Sequence, residues 1–354
     1  MFKFNYSFKI GKHKIKQFNK PYIIAEAGSN HNQRLGNAIK LSKIAKAAGC
    51  NAIKFQFIYP EGIAVGPKSK HGKLKNKFKI YSNNLFDLYS KCSLKFEEFK
   101  KVKSFCDKIK IDMLASVFCN RSLKDAIKLK LKAIKIASLE LYDPLLLKSV
   151  AKSKKPIILS TGTSNINDIN FALKIIKKEK NNKLILLQCT SSYPTLKKDA
   201  NINSIKFLHN KYNIPIGFSD HTQSNLPSIC AITLGSPIFE KHFTINRKMK
   251  GPDHFFSLEP KELKKYVEDI NEAFISLGKA QKKMTYGEKK DSHKGRRTIY
   301  IARDVKKNEK LTLKNLKIVR PAKGLDSKKI FKIINKKFTK NLKEDTPLKN
   351  NFFK

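Results

Sequence analysis

Short apolar runs alternate with longer amphipathic stretches along most of this 354-residue chain. The runs cover 22–27, 52–57, 113–118, 133–137, 156–160, 184–189, 215–218 and 237–242. Between them, stretches such as 37–48, 96–109 and 169–178 repeat with a helical period. Eight strand–helix units over about 250 residues predict a (β/α)8 (TIM) barrel, placed at 21–284. Ahead of it, Phe2, Phe4, Tyr6, Phe8 and Ile10 alternate with polar residues and Gly11-Lys12 follows as a turn, so 1–20 reads as a β-hairpin extension. The rhythm breaks at 60–84, a basic loop with Gly62, Gly66, Pro67 and Gly72. Loops of that length often serve as lids or binding loops. After 284 the pattern changes. Residues 285–295 are polar and charged and read as a linker; apolar runs at 298–302, 311–313 and 316–319 then predict a small β-rich domain over 296–354.

With 40% hydrophobic residues the chain has material for a real core, which excludes a disordered polycation despite a formal charge of +47. No apolar run approaches the ~18 residues of a membrane span. The opening residues lack the apolar region and cleavage site of a signal peptide, so a soluble, cytoplasmic protein with no membrane partner is expected. Of the 75 basic residues only seven are Arg, and the Lys are spread over the whole chain. Nucleic-acid binders concentrate basic residues and favour Arg, so no nucleic-acid partner is expected. The field would still attract a small anionic substrate. The six cysteines show no Cys-x-x-Cys or zinc spacing and read as reduced and inert.

Polar residues interrupt the ends of at least seven of the eight strands, where barrel active sites lie. They include Glu26; Lys54 and Gln56; Ser116; Lys135, Ser138 and Glu140; Gln188, Thr190, Ser191 and Tyr193; Ser219, Asp220 and His221; and Glu240, Lys241 and His242. Any one has a bland explanation, such as an edge lysine or a hydrogen-bonded core histidine. Together they imply inward polar groups, each costly to bury unless paired or bound to a ligand. Lys54 and Lys135 with the hydroxyls of Ser116, Ser138 and Ser219 suit a phosphate plus a carboxylate. His221 and His242 on neighbouring strands can share one divalent cation with coordination positions left open. Glu26 and Glu140 are available for proton transfer.

At these residues the chain resembles the sialic-acid (nonulosonic-acid) synthases. The matching stretches are Ile24-Ala25-Glu26-Ala27-Gly28-Ser29-Asn30-His31-Asn32, Lys54-Phe55-Gln56, Lys135-Ile136-Ala137-Ser138-Leu139-Glu140, Leu159-Ser160-Thr161-Gly162, Cys189-Thr190-Ser191-Ser192-Tyr193-Pro194, Gly217-Phe218-Ser219-Asp220-His221-Thr222, Glu240-Lys241-His242-Phe243-Thr244, Gly251-Pro252-Asp253-His254, Ser257-Leu258-Glu259-Pro260 and, further on, Arg296-Arg297 and Arg320-Pro321. The resemblance implies condensation of phosphoenolpyruvate with an N-acylated hexosamine, giving a nine-carbon acid and phosphate. It implies an antifreeze-like (SAF) domain after the barrel, and a domain-swapped homodimer in which that domain covers the partner's barrel mouth. By the same resemblance, His221 and His242 bind Mn2+ or Mg2+, and Lys54, Ser116, Lys135, Ser138, Ser191 and Ser219 hold phosphoenolpyruvate. Gln56, Tyr193 and Asp253 contact the sugar, Arg320 reaches its acyl group across the dimer, Glu26 orients a water and Glu140 handles protons at the sugar. The opening motifs resemble neuraminate and legionaminate synthases, and the later ones pseudaminate synthases. The residues alone leave two other readings open: a Schiff-base aldolase using Lys54 or Lys135 on pyruvate, and a polyanion-binding protein driven by net charge.

Overall fold

Strands of a parallel barrel are covered on both sides, so each alternates between two buried environments. In the computed structural model, which describes residues 3–75 and 77–354, the runs form those strands. A hairpin of β1 (Ser7–Ile10) and β2 (His13–Lys16) precedes eight parallel strands: β3 (Tyr22–Gly28), β4 (Ala52–Phe57), β5 (Asp112–Val117), β6 (Ile134–Ile136), β7 (Ile157–Ser160), β8 (Leu184–Cys189), β9 (Ile216–Asp220) and β10 (Ile238–His242). They close in order, with β10 returning to β3 in the register Ile238↔Tyr22, Glu240↔Ile24 and His242↔Glu26. The helices are α1 (Leu35–Ala47), α2 (Leu85–Cys92), α3 (Phe96–Lys108), α4 (Asn120–Lys128), α5 (Pro144–Lys152), α6 (Ile166–Lys178), α7 (Asn203–Tyr212), α8 (Leu226–Thr233) and α9 (Pro260–Leu277).

The two faces of each strand separate cleanly. Ile23, Ala25, Ile53, Phe55, Met113, Ala115, Ile134, Ile136, Phe218 and Phe239 point outward into the layer shared with the helices. Ile24, Leu114, Ile158, Ile185, Leu187 and Ile238 point inward and fill the lower barrel. Phe8, Ile10 and Ile15 of the hairpin join that inner cluster, so β1 and β2 plug the N-terminal end. Gln17 fastens the plug: its Nε2 donates to Leu234 O (2.8 Å) and its Oε1 accepts from Ile216 N (2.9 Å). The predicted alternation from residue 2 is shorter in the structure. Phe2 lies outside the described residues, and Phe4 instead packs on the outer layer, where Asn5 N donates to Asn182 O.

The chain divides into two compact units, 1–278 and 279–354. In the second, the segment read as a linker is a helix, α10 (Tyr286–Gly295). Thr285 Oγ1 accepts from Glu288 N while Glu288 accepts from Thr285 N, a reciprocal cap carried by Thr-x-x-Glu in the sequence. Antiparallel strands β11 (Thr298–Ile301), β12 (Leu316–Val319) and β13 (Leu325–Asp326) follow, with β11 central. The apolar run at 311–313 forms no strand. Leu311 is buried with its N–H on Lys336 O, but Asn315 Oδ1 caps Thr312 N and the chain turns, leaving Leu313 exposed.

The plug carries a testable load. Ile10 is fully buried under the barrel interior. Ile10→Ala is expected to lower the unfolding free energy of the barrel by about 3 kcal/mol, read from urea unfolding followed by circular dichroism.

Candidate active site

Above the apolar layer the inward positions turn polar, and every strand delivers its group at nearly the same height. Glu26 follows Ile24 on β3, Ser116 follows Leu114 on β5, Lys135 follows Ala133 at β6, and Glu240 and His242 follow Ile238 on β10. Ten of the sequence-predicted residues line one cavity of about 50 Å3: Glu26, Lys54, Gln56, Ser116, Lys135, Ser138, Tyr193, Ser219, His221 and His242. Ser160, Cys189 and Glu240 complete its polar lining.

The charges there are nearly sealed from water. Lys54 and Lys135 are 2% and 3% exposed, Glu26 and Glu240 1% and 3%. Ions buried alone would cost several kcal/mol each, and the contacts show how they are held. Lys54 Nζ lies 2.6 Å from Glu26 Oε2, donates to Ser116 Oγ at 2.8 Å, and lies 3.6 Å from Glu240 Oε2. Lys135 Nζ lies 3.5 Å from Glu240 Oε1. Ser219 Oγ donates to that same carboxylate oxygen at 3.0 Å, and Gln56 Nε2 donates to Glu26 Oε1 at 3.1 Å. Glu240 is thus the hub between the two ammonium groups. Burial alone would raise its pKa, but Lys135 and Lys54 hold it well below the usual carboxylate range. Burial raises Glu26 despite Lys54. Burial also lowers Lys135, with Glu240 opposing, whereas Glu240 and Glu26 outweigh burial at Lys54 and keep it raised.

The imidazoles line the same cavity, with ring centroids 5.4 Å apart. Tyr193 covers both, at 4.3 Å from His221 and 5.9 Å from His242. His221 Nδ1 lies 2.8 Å from the Thr190 carbonyl, which assigns a proton to Nδ1, so that in the neutral ring Nε2 has the lone pair; burial lowers the pKa of His221, but Cys189 and the Thr190 carbonyl outweigh it and leave it raised. Burial, reinforced by His221, drives His242 well below the normal imidazole range, so it is neutral. Its Nδ1 is buried with no hydrogen-bond partner among the described residues. In their neutral forms the two imidazoles, one oriented by a backbone carbonyl and the other with an unpartnered ring nitrogen, are a donor set that fits a divalent cation. No group of three or more His, Cys, Asp or Glu is placed to hold one among the described residues, so such an ion would keep open positions.

Four predicted residues lie outside this lining. Asp253 is half-buried: Ser29 donates to Asp253 Oδ2 from its N–H (3.0 Å) and its Oγ (2.9 Å). Gly28, at φ +51°, ends β3 under that carboxylate; a Cβ there would lie 2.5 Å from Asp253 Oδ2. Ser191 converges with Ser138 over Gly162. Glu140 sits in the 3-10 turn after β6, where burial pushes its carboxyl up to about 7. Arg320 belongs to the C-terminal unit, where its Nε donates to Gly295 O.

The strand-end argument also swept in two groups that face the other way. Asp220 and Lys241 pair at 3.0 Å, with Asp220 accepting from Ser228 Oγ and the Lys241 ammonium over the Tyr266 ring, on the helix side of the sheet. Strand parity separates them: Glu240 shares a face with His242, and Lys241 does not. That same parity was the available signal for Glu240, which the sequence reading noted but gave no role. Cys189, read as inert, lies 3.8 Å from His221 Nδ1 and 3.7 Å from Ser138 Oγ. Asn30 and His254 are stitching groups. Asn30 Nδ2 donates to Phe243 O and Ser257 Oγ, and His254 bridges Thr244 Oγ1 and Asn32 Oδ1, binding the loop after β3 to the loop carrying Asp253.

Comparisons with known proteins agree with the fold. Residues 41–282 match the model of the NeuB family, and 296–354 match that of the SAF domain. The N,N'-diacetyllegionaminic acid synthase of Campylobacter jejuni is 34% identical over 328 residues, 92% of this chain and 98% of its own. The pseudaminic acid synthase of Helicobacter pylori is 32% identical over 332 residues, 93% and 96% of the two chains. The crystal structure of N-acetylneuraminic acid synthetase from Leptospira borgpetersenii superposes with a TM-score of 0.71 at 32% identity, covering 82% of this chain and 96% of the other. The chain belongs to the NeuB family, and carries a SAF domain after its barrel.

Proposed function

We propose that this protein is a nonulosonic-acid synthase, which joins phosphoenolpyruvate to an N-acylated hexosamine and releases phosphate. The observation that carries the reading is a single cavity lined by ammonium and hydroxyl donors together with two imidazoles. Its support is membership of a family whose relatives are named as synthases of such acids. The SAF domain belongs to the same reading: two chains pair, and Arg320 reaches the acceptor's acyl group across the dimer.

Lys54, Lys135, Ser116, Ser138, Ser160 and Ser219 bind the phosphate and carboxylate, with Ser191 behind them. An arriving anion competes with Glu240 for two lysines already in place, so the donors need no reorganisation. Gln56, Tyr193 and Asp253 orient the sugar. His221 and His242 hold Mn2+ or Mg2+, which when bound supplies Lewis acidity toward the sugar aldehyde. C3 of phosphoenolpyruvate forms the new bond to the aldehyde carbon, and the aldehyde oxygen takes a proton. Glu26, raised by burial, takes a proton from the water that adds at C2; the C2–O bond then breaks and phosphate leaves. Glu140, protonated below about 7, supplies the proton at the sugar. The lowered ammonium of Lys135 also suits a Schiff-base lysine. On that second reading, borohydride traps pyruvate on the enzyme.

Phosphate release is expected only with phosphoenolpyruvate, an N-acylated hexosamine and a divalent metal together. Release that survives a chelator, or a borohydride adduct on Lys135, sinks the synthase reading. His221→Ala and His242→Ala are each expected to lower kcat at least about a hundredfold while the circular dichroism spectrum is retained. For Glu140, a folded-state pKa raised to about 7 means the folded protein holds a proton between about 4.5 and 7 that the unfolded chain has lost. Stability therefore falls as pH rises through that window. Glu140→Gln should remove this slope, gaining up to about 3 kcal/mol over the parent at pH 8 relative to pH 4. It should also flatten the loss of kcat above pH 7.

A further inference from the structure

We propose that the end of the barrel opposite the site is a docking surface for an anionic lipid bilayer, carried by lysines that four successive helix-to-strand turns and the hairpin present together. In a parallel barrel the helices end at the N-terminal end of the sheet, so turns that lead into neighbouring strands are neighbours in space. Each of these turns holds one residue in the left-handed region. Before β5, β6, β7 and β8 it is Lys110 (φ +57°), Lys130 (φ +53°), Lys154 (φ +57°) and Lys180 (φ +52°). Before β4, β9 and β10 it is Gly49, Asn213 and Gly235, and Gly278 ends α9. Strands β5 to β8 are consecutive in the barrel, so the four lysines occupy one sector of its end.

Two ordinary causes of surface lysine fall short here. A helix C-terminus favours cations, which accounts for Lys108, Lys128 and Lys152 in the last turns of α3, α4 and α5. It does not account for the left-handed position beyond them, where a Cβ is disfavoured and glycine or asparagine is the easy choice. A chain-wide excess of lysine would reach every turn alike. Yet residues 107–112, 128–133, 152–155 and 177–183 hold twelve lysines, whereas 46–51, 211–215 and 233–237 hold two. The charge is also largely uncompensated. The four segments contain three carboxylates: Asp107 pairs with Lys103, Asp112 accepts from Tyr22 Oη at 2.9 Å, and Glu179 is half-buried. Lys110, Lys130, Lys154 and Lys180 are all exposed, and none makes an ion pair among the described residues; Lys154 reaches only the Glu179 carbonyl. In the plug, Lys9 and Lys14 stand directly opposite each other across β1 and β2, both exposed, where like charges repel.

A face of point charges selects the kind of partner. No arginine lies in these segments or in the hairpin, so the bidentate, directional contacts that recognise a nucleic acid or a phosphopeptide are missing. Ammonium groups on flexible stems suit a fluid layer of anionic headgroups, and the attraction grows with each lysine near the surface. Phe18 adds an apolar contact at the same end. Its N–H donates to Gly235 O at 2.8 Å in the turn before β10, its φ is +63°, and its side chain is 62% exposed, with Lys16 and Lys20 two residues to either side. An aromatic ring beside lysines is the composition of a shallow interfacial anchor. The contact is peripheral, since no helix among the described residues is long and apolar enough to cross a membrane. Scattered along the chain, these lysines carry no signal in the sequence, from which no membrane partner is expected; the fold gathers them. The strand ends that carry the site face the other way, so a docked barrel keeps its mouth clear.

The test is co-sedimentation of the full chain with vesicles of phosphatidylcholine alone and of phosphatidylcholine with about 30% phosphatidylglycerol. Binding is expected to the anionic vesicles only, and is expected to be lost when salt rises from about 0.1 M to about 0.5 M. Lys110→Asn, Lys130→Asn, Lys154→Asn and Lys180→Asn together should weaken it about a hundredfold or more, at about fivefold per lysine. Asparagine suits the left-handed position, so the thermal midpoint by circular dichroism should not fall. Removing the same charge at the mouth end, as Lys197→Asn, Lys198→Asn, Lys248→Asn and Lys261→Asn, should weaken binding no more than about fivefold. Phe18→Asn should weaken it about threefold or more. Equal binding to neutral vesicles, binding to neither, equal loss in the two fourfold variants, or vesicle affinity unmoved by Phe18→Asn overturns the proposal. So does displacement from the vesicles by single-stranded RNA at equal phosphate concentration, which marks the face as a polyanion site instead. The lipid and salt dependence of the unaltered protein decides even where a variant fails to fold.

Discussion

The carboxylate of Glu240, set between Lys54 and Lys135, is the constraint on which the upper barrel depends. Each ammonium is buried where an isolated ion would be expelled or neutralised. With Glu26 on Lys54, two positive and two negative groups share one small volume. Beneath it lie Ile24, Leu114 and Ile238 and the hairpin plug, which keep water away from below. In such surroundings charges act over longer range than they do in water. The same packing that closes the barrel therefore strengthens the site above it.

Around this centre the strands divide the chemistry. Most donors for an anion gather over β4 to β7, joined by Ser219 on β9, and the imidazoles and carboxylates lie over β9, β10 and β3. The loops are not left to find their places. Asn30 and His254 tie the loop after β3 to the loop carrying Asp253, and Ser29 fixes the carboxylate itself. Helix α2 lies near the same rim, with Tyr89 close enough to Glu140 for the two to repel when charged.

The barrel was legible because burial on both faces leaves apolar runs that interrupt the helical period, and all eight runs became strands. The site was legible for a related reason: polar residues at strand ends are expensive inside a core, so they stand out. What the pattern missed follows from its coarseness. Counting polar residues at strand ends without parity grouped Lys241 and Asp220 with the site and left Glu240 without a role, although its two-residue spacing from His242 placed it inward. A polar composition at 285–295 read as a linker, where Thr285 and Glu288 cap a helix. Asp253 lies eleven residues past His242 in a loop, where no periodicity reports position, and only the family resemblance pointed to it.

The pair formed by Lys241 and Asp220 bears on more than packing. Both lie between the sheet and its helices, one residue away from the groups that face the cavity. Were β10 to slide by a single residue, every side chain would change face. Phe239 and Lys241 would enter the chamber, and the imidazole and carboxylate of His242 and Glu240 would be stranded among α8 and α9. Such a misthreaded sheet would break both ion networks at once, so the polar residues that equip the barrel also proofread its assembly.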